Sequence, residues 1–467
     1  MPRVRALSAL PEPRYTALMP LPDDDIESSA NDSRQGQRRG APRDPREGGD
    51  LSGGAFRRFW KALGPGVITG AADDDPSGVA TYSIAGAQFG SSLLWMAIVT
   101  WPLMTAVQLM CARVGMVTGR GLADALRDKF PRPVLVIAAV ALFAANTINV
   151  GSDLAGMADA ADLLTGISSH VWVILFGAGI AFATIRLPYA TFAGVLKWLA
   201  LILLVYIGTA LYIRPNWGEV LHDTIAIHVP GGKEGWATIV AIMGTTISPY
   251  LFFWQASQEV EEEKAMGRRR VADRAGATKE EITTRWMDVT AGTFFSNVVM
   301  FFIILTTSLT LHRAGILSPQ SSREVAAALK PLAGKFASLL YTLGLIGTGA
   351  LAIPTLAGSG AYAFAELFGW RQGMGENYRR APRFYAVFLV SIVVGMLVDF
   401  TRINPVRALY WTAVINGVLA PFLLVGILVA ASDSKLMQGQ PSSWVSRIIV
   451  GVTAVAMFTA AAAMFLL

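Results

Sequence analysis

Residues 64–90 read GPGVITGAADDDPSGVATYSIAGAQFG, a hydrophobic run with three consecutive aspartates at its middle, followed by Pro76, Ser77 and Gly78. A carboxylate at bilayer depth costs on the order of 3 kcal/mol. Proline removes a backbone donor and breaks a helix. A chain carrying both in one apolar span folds only where neighbouring protein groups or a polar cavity take up the freed backbone and the charge. A bundle of uninterrupted helices is therefore excluded.

The rest of the chain sets the same context. Its 467 residues are 53% hydrophobic and 15% charged, with mean hydropathy +0.47, against about 25% charged residues in soluble domains. Eleven apolar segments have the roughly 18–25 residues needed to cross a bilayer: 58–88 (interrupted), 92–114, 133–162, 170–186, 189–213, 236–260 (interrupted), 286–311, 336–366, 383–400, 405–431 and 443–466. The expected class is an all-α membrane protein embedded in a lipid bilayer. The tail, residues 1–52, is polar and rich in Gly, Pro, Arg and Asp, and reads as a disordered cytoplasmic leader. It shows no signal-peptide pattern.

A single cysteine, Cys111, excludes an intramolecular disulfide framework and a cysteine-rich metal site. The net charge of +6 does not signal nucleic acid, because the cations cluster between spans and in the tail. Arg120, Arg127, Lys129 and Arg132, the GRRRVADR run, and Arg371, Arg379, Arg380 and Arg383 fall in connections on one side. That side reads as cytoplasmic, in an inner (plasma) membrane, with the amino terminus inside and the carboxyl terminus outside. The 312–335 connection, with Arg313, Arg323, Lys330 and Lys335, is an exception on the other side. A monomer or weak oligomer is expected.

The sixth span is also interrupted, by GTTISPY at 244–250. Five spans separate the two breaks, so they run in opposite directions. Paired breaks in two inverted halves point to a transport site near the membrane midplane. The chemistry there is oxygen: Asp75, the hydroxyls of Ser77, Thr245, Thr246 and Ser248, and freed carbonyls. His170, His222, His228 and His312 all fall in or beside the outer connections. Hard donors suit magnesium, calcium or manganese better than copper or zinc. Asp75, against Pro76, is the expected direct ligand. Asp74 and Asp73, rotated about 100° and 200° around a helix, serve as supporting groups or an access vestibule, or in the case of Asp73 as a partner for a polar group elsewhere. On the third span Asn146, Asn149 and Asp153 share one helix face, for the metal's surroundings or for interhelical hydrogen bonds.

These segments resemble the Nramp family of divalent-metal transporters, over roughly residues 55–466. The family carries Asp-Pro-Gly-Asn at the first break and Ala-x-x-Met-Pro-His at the sixth; here stand Asp75-Pro76-Ser77-Gly78 and Thr245-Thr246-Ile247-Ser248-Pro249-Tyr250. The third-span segment SDLAGMADA matches too, with Asp153 at a family aspartate. The resemblance implies the LeuT-type fold: a 5+5 inverted repeat (about 58–213 and 236–431), helices 1 and 6 broken, and an eleventh helix at about 443–466. It implies metal-site positions at Asp75, Gly78, Thr245 and Ser248, with Gln255 at a family histidine. The departures are informative. Gly78 replaces a metal-binding Asn and Ser248 a metal-binding Met, which removes an amide oxygen and a soft thioether and is expected to widen the site for a hydrated ion. Tyr250 and Gln255 stand for histidines, and Gly156 for a glutamate, of the proton-coupled members. This pattern is similar to the Nramp-related magnesium transporter branch. It implies import of Mg²⁺ and Mn²⁺ as substrate, with no cofactor and without obligatory proton coupling.

Three alternatives stand beside this reading. One is a proton-coupled Mn²⁺/Fe²⁺ symporter of the main Nramp type. Another is an amino-acid carrier of the same broad fold, in which three aspartates would repel a substrate carboxylate. The last is a membrane enzyme, for which no motif appears. Elsewhere, Glu259 to Glu263 read as a solvated helix end, Gln258 as a residue of the exit path, and Tyr410 and Asn416 as polar groups on span ten. Trp60, Trp217 and Trp286 read as interfacial anchors.

Overall fold

A computed structural model of the chain describes residues 70, 72–187, 201–401 and 403–467. The tail, the first part of span one with Trp60, and the start of span five lie outside the described residues. The helices longer than five residues are α1 (Pro76–Phe89), α2 (Trp95–Thr118), α3 (Arg132–Thr165), α4 (Ser169–Arg186), α5 (Val205–Ile213), α6 (Trp217–Ile225), α7 (Gly232–Thr246), α8 (Pro249–Ala265), α9 (Lys279–Thr307), α10 (Ala337–Phe368), α11 (Pro382–Val398), α12 (Pro405–Ser432) and α13 (Trp444–Leu466). Among the described residues eight helical segments, α7 and α8 counted as one, are long and apolar enough to cross a membrane, and two shorter apolar ones end at Ile213 and Val398. With α1 they fill the eleven expected spans. The largest boundary difference is at α9, which starts seven residues before the expected 286 because Thr278 and Glu281 form a reciprocal capping box.

Large apolar side chains such as Ile137, Phe182, Leu397, Phe422 and Val455 point outward, while the interior mixes large apolar side chains such as Trp254, Phe252 and Phe388 with small and polar ones. That is the arrangement expected where lipid replaces water around the bundle.

The packing repeats as an inverted two-fold would require. Span one (α1) packs on span seven (α9), and span six (α8) packs on span two (α2), while α3 lies against its counterpart α10. One glycine permits each of the first two contacts. A Cβ at Gly86 would stand 2.1 Å from Thr307 Oγ1, and one at Gly115 would stand 2.5 Å from the Ala256 carbonyl. Both are closer than any real Cβ contact, so each backbone approach needs its glycine.

Candidate functional site

The two breaks are built on one local rule. Proline at a helix's first position fixes its own φ and drives the residue before it to extended backbone. Asp75 (φ −66°, ψ 170°) precedes Pro76 and caps α1; Ser248 (φ −79°, ψ 133°) precedes Pro249 and caps α8. From there the two side chains act in opposite directions. Asp75 Oδ1 accepts from the Gly78 amide at 2.7 Å and from Ser77 Oγ at 2.6 Å. Ser248 Oγ turns back and donates to the carbonyls of Gly244 at 2.8 Å and Thr245 at 2.5 Å, at the end of α7.

The breaks meet. Tyr250 donates from its hydroxyl to the Ala72 carbonyl at 3.0 Å, and Tyr82 and Thr246 share a hydrogen bond of 3.2 Å. Asn149 Nδ2 of α3 donates to Asp75 Oδ2 at 3.2 Å. Gly78 faces the last turn of α7, where a Cβ would lie 3.2 Å from Thr245 Oγ1. A side chain at 78 would therefore meet the Thr245 hydroxyl, an oxygen that is itself buried without a hydrogen-bond partner. A thioether absent from the motif also reaches the break from another helix, since Met300 Sδ accepts from Thr246 Oγ1 at 3.7 Å.

The three aspartates divide. Ser296 of α9 donates to Asp73 Oδ2 at 2.6 Å and lies 3.2 Å from Asp74 Oδ1, so these two turn toward α9 while Asp75 turns toward α3. Asp153 is fully buried, with neither oxygen in a hydrogen bond of ordinary geometry. Among the described residues no three His, Cys, Asp or Glu side chains converge on one metal position. Any ion held here would draw on hydroxyl and carbonyl oxygens beside carboxylate.

Gln255 and the acidic run lie apart from the breaks. Gln255 is seven residues past Ser248, about 10 Å along the helix, and its Nε2 donates to Glu259 Oε1 at 2.6 Å. The expected solvated helix end is instead buried at Glu259 and Glu263 and half-buried at Glu261 and Glu262: Glu259 and Glu262, together with Asp288 of α9, pair with Arg285, at 2.7 Å for Glu259 and Asp288. A charge run in sequence does not reveal that the following helix returns with a cation against it. Asn146 settles as an interhelical tie, donating to the Leu356 carbonyl at 3.0 Å and Ser359 Oγ at 2.7 Å. Both amide atoms of Asn416 are buried and unpartnered on α12, which packs against α1 and α7. Tyr410 pairs with Thr238 at 3.0 Å. Ser296 is the site residue that the motif reading missed, since nothing in its own segment separates it from an ordinary polar residue in a span.

The histidines sit elsewhere. His312 Nδ1 contacts the Ala87 carbonyl at 2.8 Å, near the end of α1, and His222 and His228 line an outlying cleft with it. His170 pairs with Asp399.

Comparisons with known proteins agree on this architecture. A manganese transporter of Eremococcus coleocola, solved with an aromatic bis-isothiourea compound, superposes with a TM-score of 0.70 at 17% identity, over 88% of this chain and 87% of that one. A mutant of that transporter gives 0.71 at 16% identity over the same shares. A nucleobase-cation-symport-1 family transporter with bromovinylhydantoin bound gives 0.53 at 16% identity, over 87% of this chain and 90% of that one. At these identities the likeness is one of fold, the LeuT type. The profile described as natural resistance-associated macrophage protein-like (Nramp) matches residues 66–467. With that match over most of its length, and two broken helices meeting at a buried aspartate, the chain belongs to the Nramp family of membrane transporters.

Proposed function

We propose that this Nramp member is a carrier of the magnesium-transporting branch, moving Mg²⁺ and Mn²⁺ inward by alternating access without obligatory proton coupling. The observation that carries the reading is the donor set at the meeting of the breaks. Asp75 supplies charge, Thr245 presents an unpartnered hydroxyl over Gly78, and Ser248 holds the carbonyls of Gly244 and Thr245 at the α7 end. The negative end of the half-helix α7 favours a cation. Hydroxyl and carbonyl oxygens with one carboxylate suit an ion that keeps several of its waters, and give little advantage to a soft metal. Asp73 and Asp74, tied to Ser296, extend negative charge beside the site, and Asn149 orients Asp75. Similarity to a manganese transporter supports Mn²⁺ as a second substrate. A negative-inside potential drives uptake with about 2.3 kcal/mol per charge per 100 mV, in a plasma membrane with the amino terminus inside.

Asp153 favours a second reading. A buried carboxylate without a hydrogen bond of ordinary geometry is a ready proton acceptor, which is what a proton-coupled Mn²⁺ symporter needs in place of the histidines replaced by Tyr250 and Gln255.

The test is reconstitution in liposomes with a trapped Mg²⁺ indicator beside a trapped pH dye. Mg²⁺ uptake abolished by Asp75→Ala, without acidification, is the expected result. Mn²⁺ uptake alone, with acidification lost in Asp153→Asn, would overturn the proposal for the second reading.

A further inference from the structure

A groove of about 560 Å³ runs between α2, α9 and α13, away from both breaks. Its walls are mostly apolar, including Trp101, Pro102, Leu109, Met116 and Ile449, and Trp101 packs edge-on against Phe294. Three polar groups in this lining are unfinished, the first being the Trp101 ring nitrogen Nε1, buried without a partner. Arg113 donates through Nη2 to the Gln440 carbonyl at 2.9 Å, but its Nε is buried without a partner. The Thr290 hydroxyl is likewise buried and unpartnered. Among the described residues no carboxylate pairs with Arg113, and the lining contains none. The groove's other cation, Arg285, is already held by three carboxylates, Glu259, Glu262 and Asp288.

Arg113 and Thr290 are ordered along the groove. Thr105 of α2 meets Thr293 of α9 at 2.7 Å, and Thr100 meets Asn297 at 2.8 Å. The helices are thus antiparallel, and Thr290 lies between the depths of Thr105 and Arg113. Arg113 stands near the Thr118 end of α2, level with the start of α13, where Ser443 and Ser446 close the groove. Arg447 on that same turn carries another buried Nε without a partner. Trp286 and Trp444, both exposed, mark this level as an interface.

We propose that this groove binds one anionic phospholipid. An acyl chain lies along Leu109, Pro102 and Trp101, an ester carbonyl accepts from Thr290, and the phosphate pairs with Arg113. In hydrocarbon a buried donor has no water to turn to, so an acceptor must come from protein or lipid. A basic pocket between helices at the cytoplasmic level suits an anionic headgroup, and on the proposed topology this is the cytoplasmic end. An amphiphile satisfies the charge, the hydroxyl and the apolar walls together, which a free anion does not.

Native mass spectrometry of the delipidated full chain, titrated separately with phosphatidylglycerol, phosphatidylcholine and inorganic phosphate, tests this. The wild type retains one phosphatidylglycerol about fivefold more strongly than phosphatidylcholine, the weight of one cation near an anionic headgroup. Arg113→Gln abolishes that preference. Ser446→Trp, which fills the groove from α13, removes the bound lipid while leaving Arg113 in place. Equal retention of the two lipids by the wild type would overturn the proposal. So would an unchanged preference in Arg113→Gln, competition by inorganic phosphate, or a second copy of the chain occupying the groove as a lipid-free dimer. If Arg113→Gln does not fold, Ser446→Trp decides alone, because lipid retained at wild-type strength in it refutes the site.

Discussion

The first and second breaks share a proline, an extended residue before it and burial, and they differ in one respect. Asp75 is an acceptor and satisfies amides ahead of it, at the start of α1; Ser248 is a donor and satisfies carbonyls behind it, at the end of α7. The first break thereby concentrates negative charge on a helix start that stabilises it. The second is electrically neutral and leaves its oxygens lightly occupied. Neither is a cation site alone: one has charge but spends much of it on its own backbone, the other has oxygens without charge. Tyr250, Asn149 and the Gly78–Thr245 contact make them a single site.

The sharpest way to break that comparison is to remove the charge. Asp75→Ala is expected to lower Mg²⁺ uptake on the order of 100-fold, the loss that follows when about 3 kcal/mol of a buried charge's interactions disappears. Liposome uptake measures it, and Asp75→Asn separates charge from capping, since asparagine still caps the helix.

Making the second break soft comes next. Ser248→Met should raise preference for Mn²⁺ over Mg²⁺ about tenfold, because a thioether discriminates against hard cations. Competition uptake with both ions reads the ratio, and an unchanged ratio would mean that Thr245 and the carbonyls set selectivity without the residue at 248.

Uncoupling the breaks should cost less. Tyr250→Phe leaves the Ala72 carbonyl without its hydroxyl donor, a loss of about 1–3 kcal/mol for a buried group, visible as a lower melting temperature with uptake reduced only severalfold.

The smallest effect is expected far from the breaks. Asp223, on the connecting helix α6 between spans five and six, accepts from Ser91, and that hydroxyl together with His222 and His228 holds its carboxyl below the usual range. A lowered folded-state pKa means that its contribution is complete above about pH 4, the unfolded value, and fades as the pH falls through the lower folded one. The melting-temperature difference between wild type and Asp223→Asn should therefore be small above about pH 4 and vanish in stronger acid.

The legibility of the site varied residue by residue. Asp75, Gly78, Thr245, Ser248 and Asn149 come together where motif spacing indicated, because a proline break fixes its neighbours locally. That the Thr245 hydroxyl lies against Gly78 was not legible, since it depends on how closely α1 and α7 approach. Glu259 was misread as solvated for the same kind of reason: its partner Arg285 lies on the next helix, 26 residues on. Ser296 had no local signature at all.

By itself, the sequence determined the spans, their two interruptions and the oxygen chemistry at each, because hydropathy, proline and carboxylates act over a few residues. The tertiary structure alone decided which way each aspartate turns, which hydroxyl stands free, and which buried charges neutralise one another. Those outcomes depend on contacts between helices tens to hundreds of residues apart, where a glycine such as Gly86 or Gly115 sets the distance and a residue such as Ser296 happens to face the charge.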